Sequence, residues 1–143
     1  MPSHRECNLL VAGVGGQGSV LIGQLLGNAG IDDGLQVWVA ETFGMSQRGG
    51  SVVSHVRISN DTMSPITPEG AGDVILGLEP METLRVAQKY LRMDGTIILN
   101  PRQILPSDVI SGLSSYPPED RIFAALERLA GEVIQIDAGR LAE

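Results

Sequence analysis

Short apolar runs alternate with amphipathic segments along most of the chain. Residues 8–12 are apolar on both faces, which is typical of a central parallel strand covered by helices on both sides. Apolar residues then recur at helical spacing from residue 21 to residue 29, and Gly30 suits a helix stop. Residues 35–40 predict a second strand. Residues 7–41 are therefore expected to form one βαβ unit.

The alternation continues towards the end of the chain. Further strands are predicted at residues 51–59, 73–79, 95–100 and 132–137. One helix is expected to begin at Pro80, and a second to begin at Pro118 and end at Gly131. Residues 61–72 indicate a long connection, and residues 101–117 an irregular stretch with a short edge strand. The inward face of the first helix is predicted to carry Met81, Leu84, Ala87, Gln88 and Leu91. That of the second helix is predicted to carry Ile122, Phe123, Leu126 and Leu129.

This order of elements predicts an α/β fold. We expect an open, mostly parallel, Rossmann-like sheet with helices on both faces, built as one domain over residues 1–143. Residues 137–143 resemble the opening of a helix that stops before it can cover anything. The C-terminal part is therefore expected to be truncated, which would leave an apolar strip for a partner to cover.

Composition and charge narrow the function classes. Of the 143 residues, 43% are hydrophobic, and the formal net charge of −7 argues against nucleic acid as a partner. Cys7 is the only cysteine, so the chain cannot build a four-cysteine zinc site or an iron–sulfur cluster by itself. No spacing of carboxylates suggests a metal site. With one cysteine the chain has no intrachain disulfide, and the apolar run after the N-terminus is too short for a secretion signal or a membrane span, so a cytoplasmic location is expected.

A glycine-rich turn, Gly13-Val14-Gly15-Gly16-Gln17-Gly18, lies between the first strand and the first helix. In that context, backbone N–H groups and a helix N-terminus face an anion such as a phosphate. Glu41 follows Gly18 by 23 residues, where a dinucleotide-binding fold keeps its ribose-binding acid. The alternative is a turn whose glycines only allow the helix and the strand to pack closely.

A second polar loop is predicted at residues 41–50. Arg48 could present its planar guanidinium to a carboxylate or a phosphate, and Gly49 and Gly50 would allow a close backbone approach. The alternative is a solvated arginine. In the strand that follows, His55 and Arg57 share one face and could form a small cationic patch, although side chains of this kind are more often solvated or paired with local carboxylates. No G-x-S-x-G motif is present, and no catalytic residue is assigned.

Two segments together resemble a known family. They are the glycine-rich turn and Phe43-Gly44-Met45-Ser46-Gln47-Arg48-Gly49-Gly50-Ser51, which runs on into Ser54-His55-Val56-Arg57. Both resemble the gamma-type domain of 2-oxoacid:ferredoxin oxidoreductases. Within this family, they are most similar to the beta subunit of indolepyruvate ferredoxin oxidoreductase. The segment from Gly72 to Pro80 is also similar to the family's next strand and helix start.

The resemblance implies a subunit that is not active alone. Such enzymes oxidatively decarboxylate 2-oxoacids such as indolepyruvate or pyruvate, pass electrons to ferredoxin and form an acyl-coenzyme A. Thiamine diphosphate, magnesium and the iron–sulfur clusters would lie on a companion subunit, and no cofactor would be bound by this chain alone. The candidate coenzyme A contacts are Gly13, Gly15, Gly16, Gln17 and Gly18. Arg48, Gly49 and Gly50 would lie at the same edge or at the subunit contact.

Two other interpretations stay open. One is a stand-alone dinucleotide-binding protein that uses the glycine-rich turn and Glu41. The other is an assembly domain whose glycine loops pack closely and bind nothing. In isolation the chain could also form a homodimer.

Overall fold

The computed structural model describes residues 6–44, 50–61 and 63–143. The strands are β1 (Cys7–Val14), β2 (Val37–Phe43), β3 (Ser51–Ile58), β4 (Gly72–Gly77), β5 (Leu91–Leu99) and β6 (Glu132–Gln135). The helices are α1 (Ser19–Asp32), α2 (Pro80–Tyr90), α3 (Ser107–Ile110), α4 (Glu119–Leu129) and α5 (Ala138–Leu141).

The strands form one sheet in the order β2-β3-β1-β4-β5-β6. Strands β1, β4, β5 and β6 pair in parallel, whereas β3 is antiparallel to both of its neighbours, β1 and β2. Strand β3 therefore runs against the other five, and the expectation of a mostly parallel α/β sheet is confirmed. The expected βαβ unit is wrong in one respect, because β3 lies between β1 and β2. Strand β3 reaches that position through a hairpin connection, closed by the Gly44 N–H to Ser51 carbonyl hydrogen bond of 2.8 Å.

Helices cover both faces of the sheet, but unequally. On one face α2 and α4 bury the main core, which includes Leu10, Ile75, Ile97 and Leu126, all fully inaccessible to solvent. On the other face α1 packs against β1, β2 and β3. On this second face, strands β4, β5 and β6 are less covered than β1, β2 and β3. Val74, Leu76 and Ile98 therefore remain partly exposed there.

Several local predictions need correction. Leu91 is the first residue of β5 rather than part of α2, because the backbone becomes extended there, and the Gln88 side chain is exposed. Residues 101–117 contain the short helix α3 and no strand. Glu41 lies inside β2, not in the loop. In α4, Ile122 and Leu126 are buried as expected, while Phe123 and Leu129 pack at the edge of the core.

The chain after β6 forms the short helix α5, whose N-terminus is capped by the Asp137 carboxylate through the Arg140 N–H at 3.2 Å. Among the described residues, none of the helices combines the length and the apolar character that crossing a membrane requires.

Candidate functional site

The glycine-rich turn lies at the carboxyl end of β1 and leads directly into α1. Gly16 and Gly18 adopt left-handed backbone conformations, with φ angles of 90° and 87°, which favour glycine. A Cβ atom at either position would meet nothing within 4 Å, so the space above the turn is open. Gly13 differs, because a Cβ atom there would lie 2.7 Å from the Ser19 hydroxyl and 3.2 Å from the Leu78 side chain. Gly13 thus permits close packing, whereas Gly16 and Gly18 shape an open surface.

The Gln17 side chain braces this turn. Its Oε1 accepts a hydrogen bond from the Val14 N–H at 2.8 Å, and its Nε2 donates to the Leu78 carbonyl at 3.0 Å. The Asn100 side chain donates to the same carbonyl at 3.4 Å. These bonds connect the turn after β1 to the ends of β4 and β5. Both polar groups of the Gln17 amide are used to hold the turn in place.

Donor groups at the start of α1 have no acceptor within residues 6–44, 50–61 and 63–143. Among the described residues, the N–H groups of Gly18, Ser19 and Val20 make no hydrogen bond, as expected for the first turn of a helix. Gly18 occupies the N-cap position and has no side chain that could accept these bonds. The Ser19 hydroxyl is buried and also lacks a partner among the described residues. These groups carry positive partial charge and suit an anion or a carbonyl oxygen.

An open depression of about 500 Å³ adjoins these donors. Its remaining walls are largely apolar and include Val20, Leu21, Phe43 and Val52. A ligand here would meet backbone donors at one side and aliphatic or aromatic surface at the other. That combination suits an elongated molecule with both polar and apolar parts.

The two loops predicted from the sequence meet through their backbones. The Gly15 N–H donates to the Gly50 carbonyl at 2.9 Å, so the end of the second loop rests on the glycine-rich turn. Gly44 and Gly50 also line a neighbouring cavity of about 450 Å³. Arg48 and Gly49 lie outside the described residues.

The sequence reasoning missed two acidic residues here: Glu82, which lines this second cavity, and Glu79, which is bonded to the lining residues Glu82 and Tyr116. Glu79 is almost fully buried at the N-cap of α2, where its carboxylate accepts the Glu82 N–H at 2.9 Å and the Tyr116 hydroxyl at 2.5 Å. Glu82 lines the cavity; its Oε1 accepts from Arg85 at 2.9 Å, whereas its buried Oε2 has no partner among the described residues. Burial raises the pKa of Glu82, partly opposed by Arg85. Burial and the bond to Glu79 also raise the pKa of Tyr116.

A local signal for these acids does exist in the sequence. A carboxylate at the N-cap, proline at the first helical position and a second carboxylate three residues after the N-cap together indicate the start of a helix. The contact with Tyr116 has no such signal, because 37 residues separate it from Glu79.

His55 and Arg57 do not belong to this site and do not form the cationic patch that their shared face allowed; Arg57 instead pairs with a carboxylate, which was the alternative. Both side chains are buried, at 0% and 4% exposure, on the face covered by α2 and α4. Arg57 pairs with Glu6 and donates to Asn8 and to the backbone of Ser64 and Ile66. The His55 Nδ1 accepts the Thr67 N–H at 3.2 Å, and burial lowers the pKa of His55 to about 4.

These contacts explain why the two side chains can be buried. The arginine charge is balanced by the Glu6 carboxylate, and the imidazole is neutral at physiological pH. Together they anchor the connection between β3 and β4, at the end of the sheet opposite the glycine-rich turn.

Glu41 lies on the edge strand β2, opposite Ser54 of β3. A dinucleotide-binding fold places the strand carrying its ribose-binding acid next to the strand of the glycine turn. Here β3 intervenes, which puts β2 two strand spacings, roughly 10 Å, from β1. This topology does not reproduce the arrangement that the dinucleotide interpretation requires.

Residues 8–143 match the family model described as pyruvate ferredoxin/flavodoxin oxidoreductase. The chain belongs to this family. Indolepyruvate oxidoreductase subunit IorB from Archaeoglobus fulgidus is 45% identical over 136 residues, which cover 95% of this chain and 67% of that protein.

Two solved structures of 2-oxoacid oxidoreductases share the fold. The gamma subunit of a keto/oxoacid ferredoxin oxidoreductase from Geobacter sulfurreducens is 26% identical, over 72% of this chain and 56% of that one, with a TM-score of 0.52. The 2-oxoglutarate:ferredoxin oxidoreductase from Magnetococcus marinus was solved with 2-oxoglutarate, coenzyme A and succinyl-CoA bound. It is 18% identical, over 96% of this chain and 21% of that one, with a TM-score of 0.64.

Membership in the pyruvate ferredoxin/flavodoxin oxidoreductase family confirms the resemblance that the two loops suggested. The chain is a gamma-type domain, and its relatives are subunits of 2-oxoacid:ferredoxin oxidoreductases, enzymes that act as complexes. The family thereby accounts for the second loop, which neither the dinucleotide interpretation nor a generic glycine turn explains.

Proposed function

We propose that this chain is the gamma-type subunit of an indolepyruvate:ferredoxin oxidoreductase. The 45% identity to an indolepyruvate oxidoreductase subunit over nearly the whole chain supports this substrate class. The complex would oxidatively decarboxylate an aromatic 2-oxoacid, transfer its acyl group to coenzyme A and pass the electrons to ferredoxin. Thiamine diphosphate, magnesium and the iron–sulfur clusters would be held by a companion subunit, since Cys7 is the only cysteine of this chain.

Within this complex, the glycine-rich turn would contact coenzyme A. The observation that carries this role is that the N–H groups of Gly18, Ser19 and Val20 have no partner among the described residues and lie beside an open, largely apolar depression. Coenzyme A combines phosphates and amides with an aliphatic arm, and the donors and apolar walls match these two parts. A related enzyme with coenzyme A bound adds support by analogy.

The roles assigned to the residues of the turn follow from their geometry. Gly16 and Gly18 would allow the ligand to approach the backbone, because no side chain stands above them. The N–H groups at the start of α1 would bind phosphate or carbonyl oxygens. Gly13, Gln17 and Gly15 would hold the turn in place, and Arg48, Gly49 and Gly50 would contribute from the second loop.

A matched pair of variants tests the coenzyme A contact. Gly16 and Gly34 both have left-handed φ angles, 90° and 80°, and a Cβ atom at either would meet nothing within 4 Å. Alanine at either position should cost a similar, small stability, about 1 kcal/mol, because the backbone strain is alike. Only Gly16 lies in the turn, so only Gly16→Ala should disturb the ligand.

The measurement is steady-state turnover of the complex reconstituted with its companion subunit. Gly16→Ala should raise KM for coenzyme A at least fivefold while KM for the 2-oxoacid stays unchanged, and Gly34→Ala should leave both values unchanged. Equal KM values for coenzyme A in the two variants would refute the contact. If Gly16→Ala impaired only complex formation, the turn would serve assembly alone.

A further inference from the structure

Helix α1 turns its small residues towards the sheet and its large ones away from it. A Cβ atom on Gly23 would lie 2.6 Å from Ser54, and one on Gly27 would lie 2.6 Å from Val39. The helix therefore packs against β2 and β3 at a distance that only glycine permits. On the outer side, Leu21 and Leu25 are 60% and 58% exposed. Large apolar side chains in such positions are typical of a surface that a partner covers.

An apolar groove runs beside the same helix. Leu26 of α1 forms one wall, and Val74, Leu76 and Ile98 form the floor of a cavity of about 180 Å³. On the opposite face of the same strands, Ile75 and Ile97 are fully buried beneath α2 and α4. We call the outer side of α1 and this groove the α1 surface; it comprises Leu21, Leu25, Leu26, Val74, Leu76 and Ile98.

The charges around the α1 surface indicate the chemistry of its occupant. Residues 19–31 of α1 carry no charged side chain, and then Asp32 and Asp33 follow at the helix C-terminus. Both carboxylates are exposed and form no ion pair among the described residues, and the last turn has no basic residue. Negative charge at a helix C-terminus is unfavourable, so a cation supplied from outside would stabilise this end. Two copies of this chain, each with a net charge of −7, would instead repel one another.

We propose that the α1 surface docks an apolar surface of the companion subunit, with Lys or Arg residues beside that surface facing Asp32 and Asp33. The inference rests on the proposed function for the identity of the companion. Val20 and Leu21, at the start of the same helix, also line the depression beside the glycine-rich turn. Docking on α1 thus brings the companion subunit to the rim of the proposed coenzyme A contact.

Leu25→Glu tests the docking surface, and Met93→Glu is its control. Met93 is 88% exposed and lies outside the α1 surface, so both variants place a carboxylate at an exposed apolar position. Isothermal titration of each purified chain with the purified companion subunit gives the dissociation constant. Leu25→Glu should raise this constant at least tenfold, whereas Met93→Glu should change it less than twofold. Circular dichroism and urea unfolding check that both variants fold as the unmodified chain does.

Asp32→Lys tests the charge complementarity separately. It should weaken binding and reduce the salt dependence of the dissociation constant, because it removes an attraction between opposite charges. An unchanged affinity of both Leu25→Glu and Asp32→Lys would overturn the docking surface and leave the proposed function intact. If the unmodified chain failed to bind the companion at all, the proposed function would fail with it. A dimer of the unmodified chain that Leu25→Glu dissociates would overturn the choice of occupant in favour of a second copy.

Discussion

At the scale of single residues, one buried carboxylate joins two parts of the chain that are distant in sequence. Glu79 caps α2 through the Glu82 N–H and accepts the Tyr116 hydroxyl at 2.5 Å. Tyr116 belongs to the irregular stretch between β5 and α4 and packs against the core. The Tyr116 hydroxyl therefore holds one wall of the cavity of about 450 Å³ against the start of α2.

Tyr116→Phe should lower the free energy of unfolding by about 1–2 kcal/mol, because a buried carboxylate loses one of its donors. Tyr90→Phe is the matched control, since the Tyr90 hydroxyl makes no hydrogen bond among the described residues, and its effect should stay below about 0.5 kcal/mol. Urea unfolding followed by circular dichroism measures both. Equal losses in the two variants would show that the Tyr116–Glu79 bond contributes nothing to stability.

At the scale of elements, helix α1 packs unusually close to the sheet. A Cβ atom on Gly27 would stand 2.6 Å from Cγ2 of Val39, and one on Gly30 would stand 2.8 Å from Cγ2 of Val37. Glycine weakens an isolated helix, so these positions reduce the intrinsic stability of α1. Packing against β2 and β3 compensates for this weakness and makes α1 dependent on the sheet.

Gly27→Ala should therefore lower the free energy of unfolding by about 1–2 kcal/mol, because overpacking outweighs the gain in helix propensity. Val39→Ala removes the Cγ2 atom that the new methyl group would meet. In that background Gly27→Ala should be neutral or stabilising, by up to about 1 kcal/mol. Urea unfolding of the two single variants and the double variant measures the coupling. Additive losses would show that Val39 is not what excludes a side chain at position 27.

Local sequence patterns predicted individual elements but not the order of the strands in the sheet. The predicted strand at residues 8–12 corresponds to β1, and the glycine-rich turn lies where the strand–turn–helix pattern put it. The position of β3 between β1 and β2 was not predictable, because periodicity within a segment carries no information about which strands pair. The burial of Arg57 was missed for the same reason: its partner Glu6 lies 51 residues away.

At the scale of the whole molecule, the two ends of the sheet have different chemistry. The carboxyl ends of β1 and β4 carry the open glycine-rich turn, whose donors at the start of α1 have no acceptor in the described part of the chain, and the adjoining cavities. The opposite end holds the connection between β3 and β4 through Arg57, Asn8 and His55. One end is thus available to ligands and partners, and the other stabilises the fold. The buried imidazole makes that stability dependent on pH.

His55 has a pKa of about 4 in the folded chain and 6.5 as its ordinary value, because burial and the nearby Arg57 and Lys89 disfavour its protonated form. At His55 the unfolded chain therefore binds more protons between these values, so the stability that depends on His55 falls as the pH falls below about 6.5, while Glu82, whose pKa burial raises, has the opposite trend. The loss attributable to His55 should reach about 2 kcal/mol between pH 7.5 and pH 5. Glu6 contributes little in that window, since Asn8 and Arg57 hold the pKa of its carboxyl below 4.5.

His55→Gln should be less stable than the unmodified chain at pH 7.5, because it disturbs the contacts with Thr67 and Tyr90. Its free energy of unfolding should nevertheless change less between pH 7.5 and pH 5, by about 2 kcal/mol, since glutamine does not titrate. Urea unfolding at a series of pH values separates the slope from the absolute loss. Parallel pH profiles for the two proteins would mean that protonation of His55 is not what destabilises the fold in acid.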